Sequence, residues 1–217
     1  VGADWERTGN PSAAALLLGQ KPGTEPHVPR KLPGSTEEMQ VNQANRLSDS
    51  GDATYEQERY LEAIEQYTSA LASLQPRDTV PGFLDPPLGA KILVNRSLCW
   101  TARAKALVRG SHSHSSALSD EALAAMTSAI ADALAAIAMR PSWARGHYRH
   151  GLALWAMHHD QLARGCDSSR DARIAHAGLS AAYSAVEQAH RMQHIATFAR
   201  KKKQLKQKLE ELGVPVP

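Results

Sequence analysis

Two helical stretches separated by almost no turn set the terms for this chain. Ser35-Thr36-Glu37-Glu38 places a serine three residues ahead of a glutamate that can reach back to the serine's own N–H. Such a capping box opens a helix, which is expected to run to about Glu58. From Tyr60 to about Leu74 the small and apolar residues Ala63, Ile64, Tyr67, Ala70 and Leu71 fall at helical spacing, giving a second helix one buried face, and Pro76 ends it. Helices joined so tightly must be antiparallel, and the pair cannot cover its own apolar face. Further helices are needed to bury it. Composition agrees, because aromatics are only 5% of the 217 residues and alanine is abundant. That favours helices packed closely through small residues over a sheet core rich in Val, Ile, Phe and Tyr. The expectation is an all-α protein of one domain, with or without an appendage.

The order Gly51, Ala53, Tyr55, then Tyr60, Ala63, Tyr67 and Ala70, with a closing Pro76, resembles the tetratricopeptide repeat (TPR), a helix-turn-helix unit of about 34 residues. In that register Gly51 takes the eighth position, Ala63 the twentieth and Ala70 the twenty-seventh, and Pro76 comes one residue late. The pattern recurs with interruptions. Residues 77 to 88 read as a loop rich in proline and glycine, and Ala90 to Val108 as a helix with Ser97 at the small eighth position. After a polar loop from Gly110 to Ser116, a helix capped by Ser119 or Asp120 runs to Arg140 and places Ala129, Ala133 and Ala136 at the repeat's packing positions. Pro141 closes that repeat and opens a third, where Gly151 falls at position eight and Ala153 at ten. Asp160 to Asp171 reads as another insertion, and the partner helix, roughly Ser169 to His194, packs through Ala182, Val186 and Ala189, with a bend expected at Gly178.

From Ile195 the signature stops. A more polar helix carrying Leu205, Leu209 and Leu212 among lysines, and ending at Gly213, reads as the terminal cap that a repeat array needs. Lys201-Lys202-Lys203 reads as its solvated side. The resemblance thus implies a right-handed superhelix of three antiparallel helix pairs with long inter-helix insertions, whose first helices line a concave groove. Three parts are expected: an arm over 1–35, the three-repeat domain over 36–194 and a basic capping helix over 195–217. The arm alternates Pro11, Pro22, Pro26, Pro29 and Pro33 with Gly9, Gly19, Gly23 and Gly34 and cannot bury enough surface to hold itself together. It is read as extended, with Trp5 and Leu16 to Leu18 able to dock on the domain or on a partner.

Several function classes find no support in the residues. A formal charge of +3 is too small for a nucleic-acid footprint. The longest apolar candidate, Ala13 to Leu18, is far too short to cross a bilayer, so a soluble protein is expected. Cys99 lies in an apolar helical run and reads as a core residue. Cys166 is far from it, so neither a metal nor a redox spacing arises. A reduced cytoplasmic setting follows, or an organellar matrix if Val1 is a processed end. His112 with His114, His147 with His150, and His158 with His159 each lack a third ligand, so no metal is expected. Without a Gly-rich phosphate loop or a nucleophile motif, no cofactor and no enzymatic activity are expected either.

Arg145 and Arg149, four residues apart at the start of the third repeat, aim two guanidinium groups at one place, a geometry suited to carboxylates. The run Pro-Ser-Trp-Ala-Arg-Gly-His-Tyr-Arg is similar to the third-repeat opening of a TPR subgroup that clamps the free C-terminal carboxylate of heat-shock chaperones. The resemblance implies that Asn95 is the clamp's second-repeat asparagine and that Arg145 and Arg149 are its third-repeat basic pair. The first repeat departs from the pattern. Ser48 stands where a lysine is expected and Asp52 where an asparagine is expected, and Asp52 brings negative charge to a carboxylate site. Asn45, Arg46 and Lys91 are candidates to compensate, while an ion pair between Arg149 and Asp52 would make the arginine structural. Tyr148, Leu152 and Trp155 would add apolar contact. The function expected is an adaptor that holds an extended peptide or acidic C-terminal tail, with co-chaperone activity as its sharper version. The competing expectation is a structural subunit of a larger assembly, held through the arm and the insertions.

Overall fold

The computed structural model describes residues 36–75, 85–110, 119–164 and 169–217, the side chains of 160, 161, 163 and 164 excepted. The arm, Ser35 of the capping box, Pro76, the pair His112 and His114, and Cys166 lie outside the described residues. Among those described there are seven helices and no strand: α1 (Thr36–Glu56), α2 (Tyr60–Ser73), α3 (Pro86–Gly110), α4 (Asp120–Met139), α5 (Ala144–Arg164), α6 (Ser169–Met192) and α7 (Ala196–Glu211). Helices α1 and α2, α3 and α4, and α5 and α6 pack as pairs, each pair packs on the next, and α7 closes on α6.

The tight turn after α1 is a Schellman motif. The Glu58 N–H donates to Tyr55 O at 2.9 Å and the Arg59 N–H to Thr54 O at 3.2 Å, with Glu58 in the left-handed region at φ 60°. The motif lets the chain reverse within three residues, so α2 lies directly against α1. Tyr67, Ala63 and Ala70 are buried there. The next helix starts earlier than the sequence suggested. Asp85 Oδ1 accepts the Leu88 N–H at 2.9 Å, and Pro86 sits at the first helical position, where its missing N–H costs nothing, so residues 86 to 89 are helix. Of the two caps expected for α4, Ser119 serves, its side chain accepting the Ala122 N–H at 3.2 Å.

Two other expectations are corrected. Helix α5 continues to Arg164, so the interruption before α6 is shorter than the predicted insertion from Asp160. Gly178 leaves α6 unbroken. A Cβ there would lie 2.0 Å from the ring of His158, so glycine makes room for an imidazole from α5.

Helix α4 also passes a length and composition test for crossing a membrane, which no stretch was expected to do. Its small face, Ala122, Ala125, Ala129, Ala133 and Ala136, is buried, and α3 and α5 both pack on the helix. Within it Asp132 is held by the Arg96 guanidinium through two bonds of 2.8 and 2.7 Å. A charge paired to a neighbouring helix marks α4 as a packed repeat helix.

Helix α7 is amphipathic. Leu205 and Leu209 join Leu179, Tyr183 and Val186 in one cluster, with Leu212 partly buried against it. The C-terminus adds what the sequence did not announce. Gly213, at φ 65°, donates to Glu210 O at 3.1 Å and Val214 donates to Leu209 O at 2.9 Å, a second Schellman motif that turns Val214 into the same cluster.

Candidate functional site

The first helices of the pairs adjoin, α1 against α3 and α3 against α5. The residues singled out from the sequence sort themselves across this face. Ser48 is fully buried on α1, and its hydroxyl has no hydrogen-bond partner, so it does not line a groove as expected. Asn45 donates one amide hydrogen to Val41 O of its own helix at 3.1 Å. Lys91 is exposed on α3 one turn before Asn95, and Arg46 is exposed on α1.

Asp52 is half-buried, and its partner is not Arg149. Asp52 Oδ1 accepts the hydroxyl of Tyr67 and the side-chain amide of Asn95, the latter at 3.0 Å. Burial and this carboxylate together raise the pKa of Tyr67, which therefore stays a neutral donor. Burial, with Asp52 next in weight, also pushes the thiol of Cys99 up to about 12, so Cys99 is an inert core residue, as its apolar setting predicted. One of the two amide hydrogens of Asn95 is committed to Asp52. Asn95 also hydrogen-bonds the Tyr67 hydroxyl, so its amide is tied to both members of the Asp52–Tyr67 pair.

Arg149 is half-buried on α5, and its Cζ lies 5.9 Å from the ring centroid of Tyr148. Burial lowers its pKa, opposed by the phenols of Tyr148 and Tyr55 and reinforced by Arg145 beside it. A guanidinium stays charged under any such shift. Among the described residues neither Arg145 nor Arg149 has an acidic partner, whereas Arg59 pairs with Glu62, Arg96 with Asp132, Arg103 with Glu121 and Arg191 with Glu187.

Next to Arg149 opens a cavity of about 180 Å³. Tyr148, Leu152 and Trp155, expected as apolar contacts, line it together with Leu98 and Thr101 of α3. Tyr148 is also stacked on Phe198 of α7, with ring centroids 4.4 Å apart. Four lining residues were not expected at the site: Leu98, Thr101 and Lys105 of α3, and Lys201 of α7, which was read as part of the cap's solvated side. Lys105 could have been found as the residue two turns beyond Leu98 on one helical face. Lys201 gave no local signal, since it sits in a lysine triplet that looks uniformly solvated.

The histidine pairs take structural places. His147 Nε2 lies 2.8 Å from Pro141 O, and burial together with His147 lowers the pKa of His150. Among the described residues no three His, Cys, Asp or Glu side chains gather where they could hold a metal ion.

Three consecutive helix pairs joined at small residues and closed by a terminal helix have the architecture of a TPR domain. Solved structures make the comparison specific. The chain is similar to the first TPR of Spaghetti (RPAP3) bound to the HSP90 peptide SRMEEVD, with 17% identity and a TM-score of 0.50 over 78% of this chain and 98% of that one. It is also similar to the Sgt2 TPR domain from Aspergillus fumigatus, with 19% identity and a TM-score of 0.51 over 80% of this chain and 83% of that one. The first TPR domain of human RPAP3 gives 16% identity and a TM-score of 0.52 over 79% and 95%. No family model and no curated protein sequence matches the chain. At these identities the likeness establishes the TPR fold.

Proposed function

We propose that this chain is a non-enzymatic adaptor whose TPR groove holds the acidic C-terminal tail of a protein partner, of the heat-shock chaperone type. The observation that carries this reading is Arg149, half-buried on α5 with no acidic partner among the described residues, with the exposed Arg145 one turn before it. A half-buried guanidinium has lost hydration without gaining a counter-charge, and an incoming carboxylate offsets that loss with charge-assisted hydrogen bonds. Arg145 and Arg149 would donate to the ligand's carboxylates. Tyr148, Leu152 and Trp155 would take the adjoining apolar part. The HSP90 peptide held by the similar RPAP3 domain is a ligand of this chemistry.

Titration calorimetry with the peptide SRMEEVD tests the proposal. Binding is expected, with a loss of tenfold or more on Arg149→Ala, corresponding to about 1.5–3 kcal/mol for hydrogen bonds to a charged group. Amidation of the peptide's C-terminus is expected to weaken binding as well. Absence of binding, or binding indifferent to Arg149→Ala, would sink the proposal.

A further inference from the structure

The groove continues past the arginines. On α3 Asn95 precedes the cavity-lining Leu98 and Lys105, and on α5 Arg145 precedes the cavity-lining Leu152 and Trp155. Ten residues of helix rise ~15 Å, the span of roughly four or five residues of extended chain. At the far end stand Lys105 and Lys201, and none of the residues lining the cavity between them and Arg149 is acidic. The two lysines are electrostatically coupled: burial, with Lys105 second, lowers the pKa of Lys201. The next residue in the chain shows the contrast. Lys202 bonds Glu187 at 2.9 Å, whereas neither Lys201 nor Lys105 has an ion pair among the described residues.

Building on the groove reading above, we infer that Lys105 and Lys201 form a second anion subsite, which takes the carboxylate of an acidic side chain three to five residues before the C-terminus of the same bound peptide. Charge complementarity selects the occupant, since the cavity offers positive charge from three sides and no negative charge of its own. Leu98, Leu152 and Trp155 beside the lysines supply an apolar wall for the methylenes of a glutamate. Helix α7 is then more than a cover for the last repeat. It contributes a specificity-determining residue.

The test is a cycle of calorimetric titrations on the full chain, using SRMEEVD and the same peptide with both glutamates replaced by glutamine. The double variant Lys105→Met and Lys201→Met removes both charges while keeping the aliphatic stems. Circular dichroism checks that it folds, and Lys105→Met alone, at an exposed position, serves if the double variant does not. The acidic peptide is expected to lose about tenfold in affinity and part of its salt dependence on the double substitution. The glutamine peptide, weaker from the start, is expected to change less than twofold. Equal losses for both peptides, or none for either, while Arg149→Ala still weakens binding tenfold or more, would overturn the subsite and leave the groove reading intact. Failure of the native chain to bind SRMEEVD overturns both. A third arm adds inorganic phosphate as competitor. If phosphate occupies the lysines and the glutamate exchange is without effect, the pair is a phosphate site and the inference fails.

Discussion

Gly51, Ser97 and Gly151 hold the same place in three successive first helices and solve one packing problem in two ways. A Cβ on Gly51 would approach the ring of Tyr67 to 2.8 Å, and one on Gly151 would meet Ala182 O at 2.8 Å, so hydrogen is all that fits. Ser97 fits because its hydroxyl donates to Ala129 O at 2.7 Å, turning close approach into a buried hydrogen bond. Asp52 stands where the resemblance drawn from the sequence expects an asparagine. Its carboxylate holds an amide hydrogen of Asn95 and sets a negative charge near the place proposed for another. Asp52→Asn is expected to tighten binding of SRMEEVD about tenfold, since it removes like-charge repulsion and restores a donor. Weaker binding in the same titration would show that Asp52 instead orients Asn95 productively. Residues of this kind were half legible. The spacing of small residues exposed the contact positions, because helical periodicity is local. What Asp52 and Gly178 do depends on Tyr67, Asn95 and His158, which belong to other helices, so their roles were invisible in one stretch of sequence.

Between elements, the strongest polar tie is Arg96 on α3 to Asp132 on α4. Both side chains are largely shielded, 20% and 9% exposed, and the guanidinium also donates to Thr68 of α2 at 3.0 Å. Arg96→Ala strands a buried carboxylate and is expected to cost about 3 kcal/mol. Urea denaturation measures it, and Asp132→Ala added to Arg96→Ala should recover part of the loss, because the uncompensated charge goes with it. A loss below about 1 kcal/mol would mean that water reaches Asp132. Element existence was readable from periodicity, but element ends were read less well. The Asp-Pro-Pro of residues 85 to 87 looked like loop composition, although an aspartate followed by proline is also a helix start. Only the Leu88 N–H seated on Asp85 decides between them.

At the scale of the whole molecule, each helix packs mainly on its neighbours in sequence, so the array is a chain of local interfaces that needs an end. The repeat count and the cap were legible for that reason. The charge at the groove's far end was not, because Lys105 and Lys201 are 96 positions apart, from 201 minus 105, and meet only through packing. The stack of Tyr148 on Phe198 carries a last consequence. Tyr148 sits beside Arg149 and faces α7 through its ring, so a residue that lines the cavity also anchors that helix. A ligand held in the groove as proposed would be thermodynamically linked to the order of α7, each stabilising the other by the same free energy. Amides of α7 are expected to exchange several-fold more slowly with deuterium when SRMEEVD is bound, and Tyr148→Ala should abolish the difference. Unchanged exchange at saturating peptide would break the link. If it holds, helix α7 reports whether the groove is full.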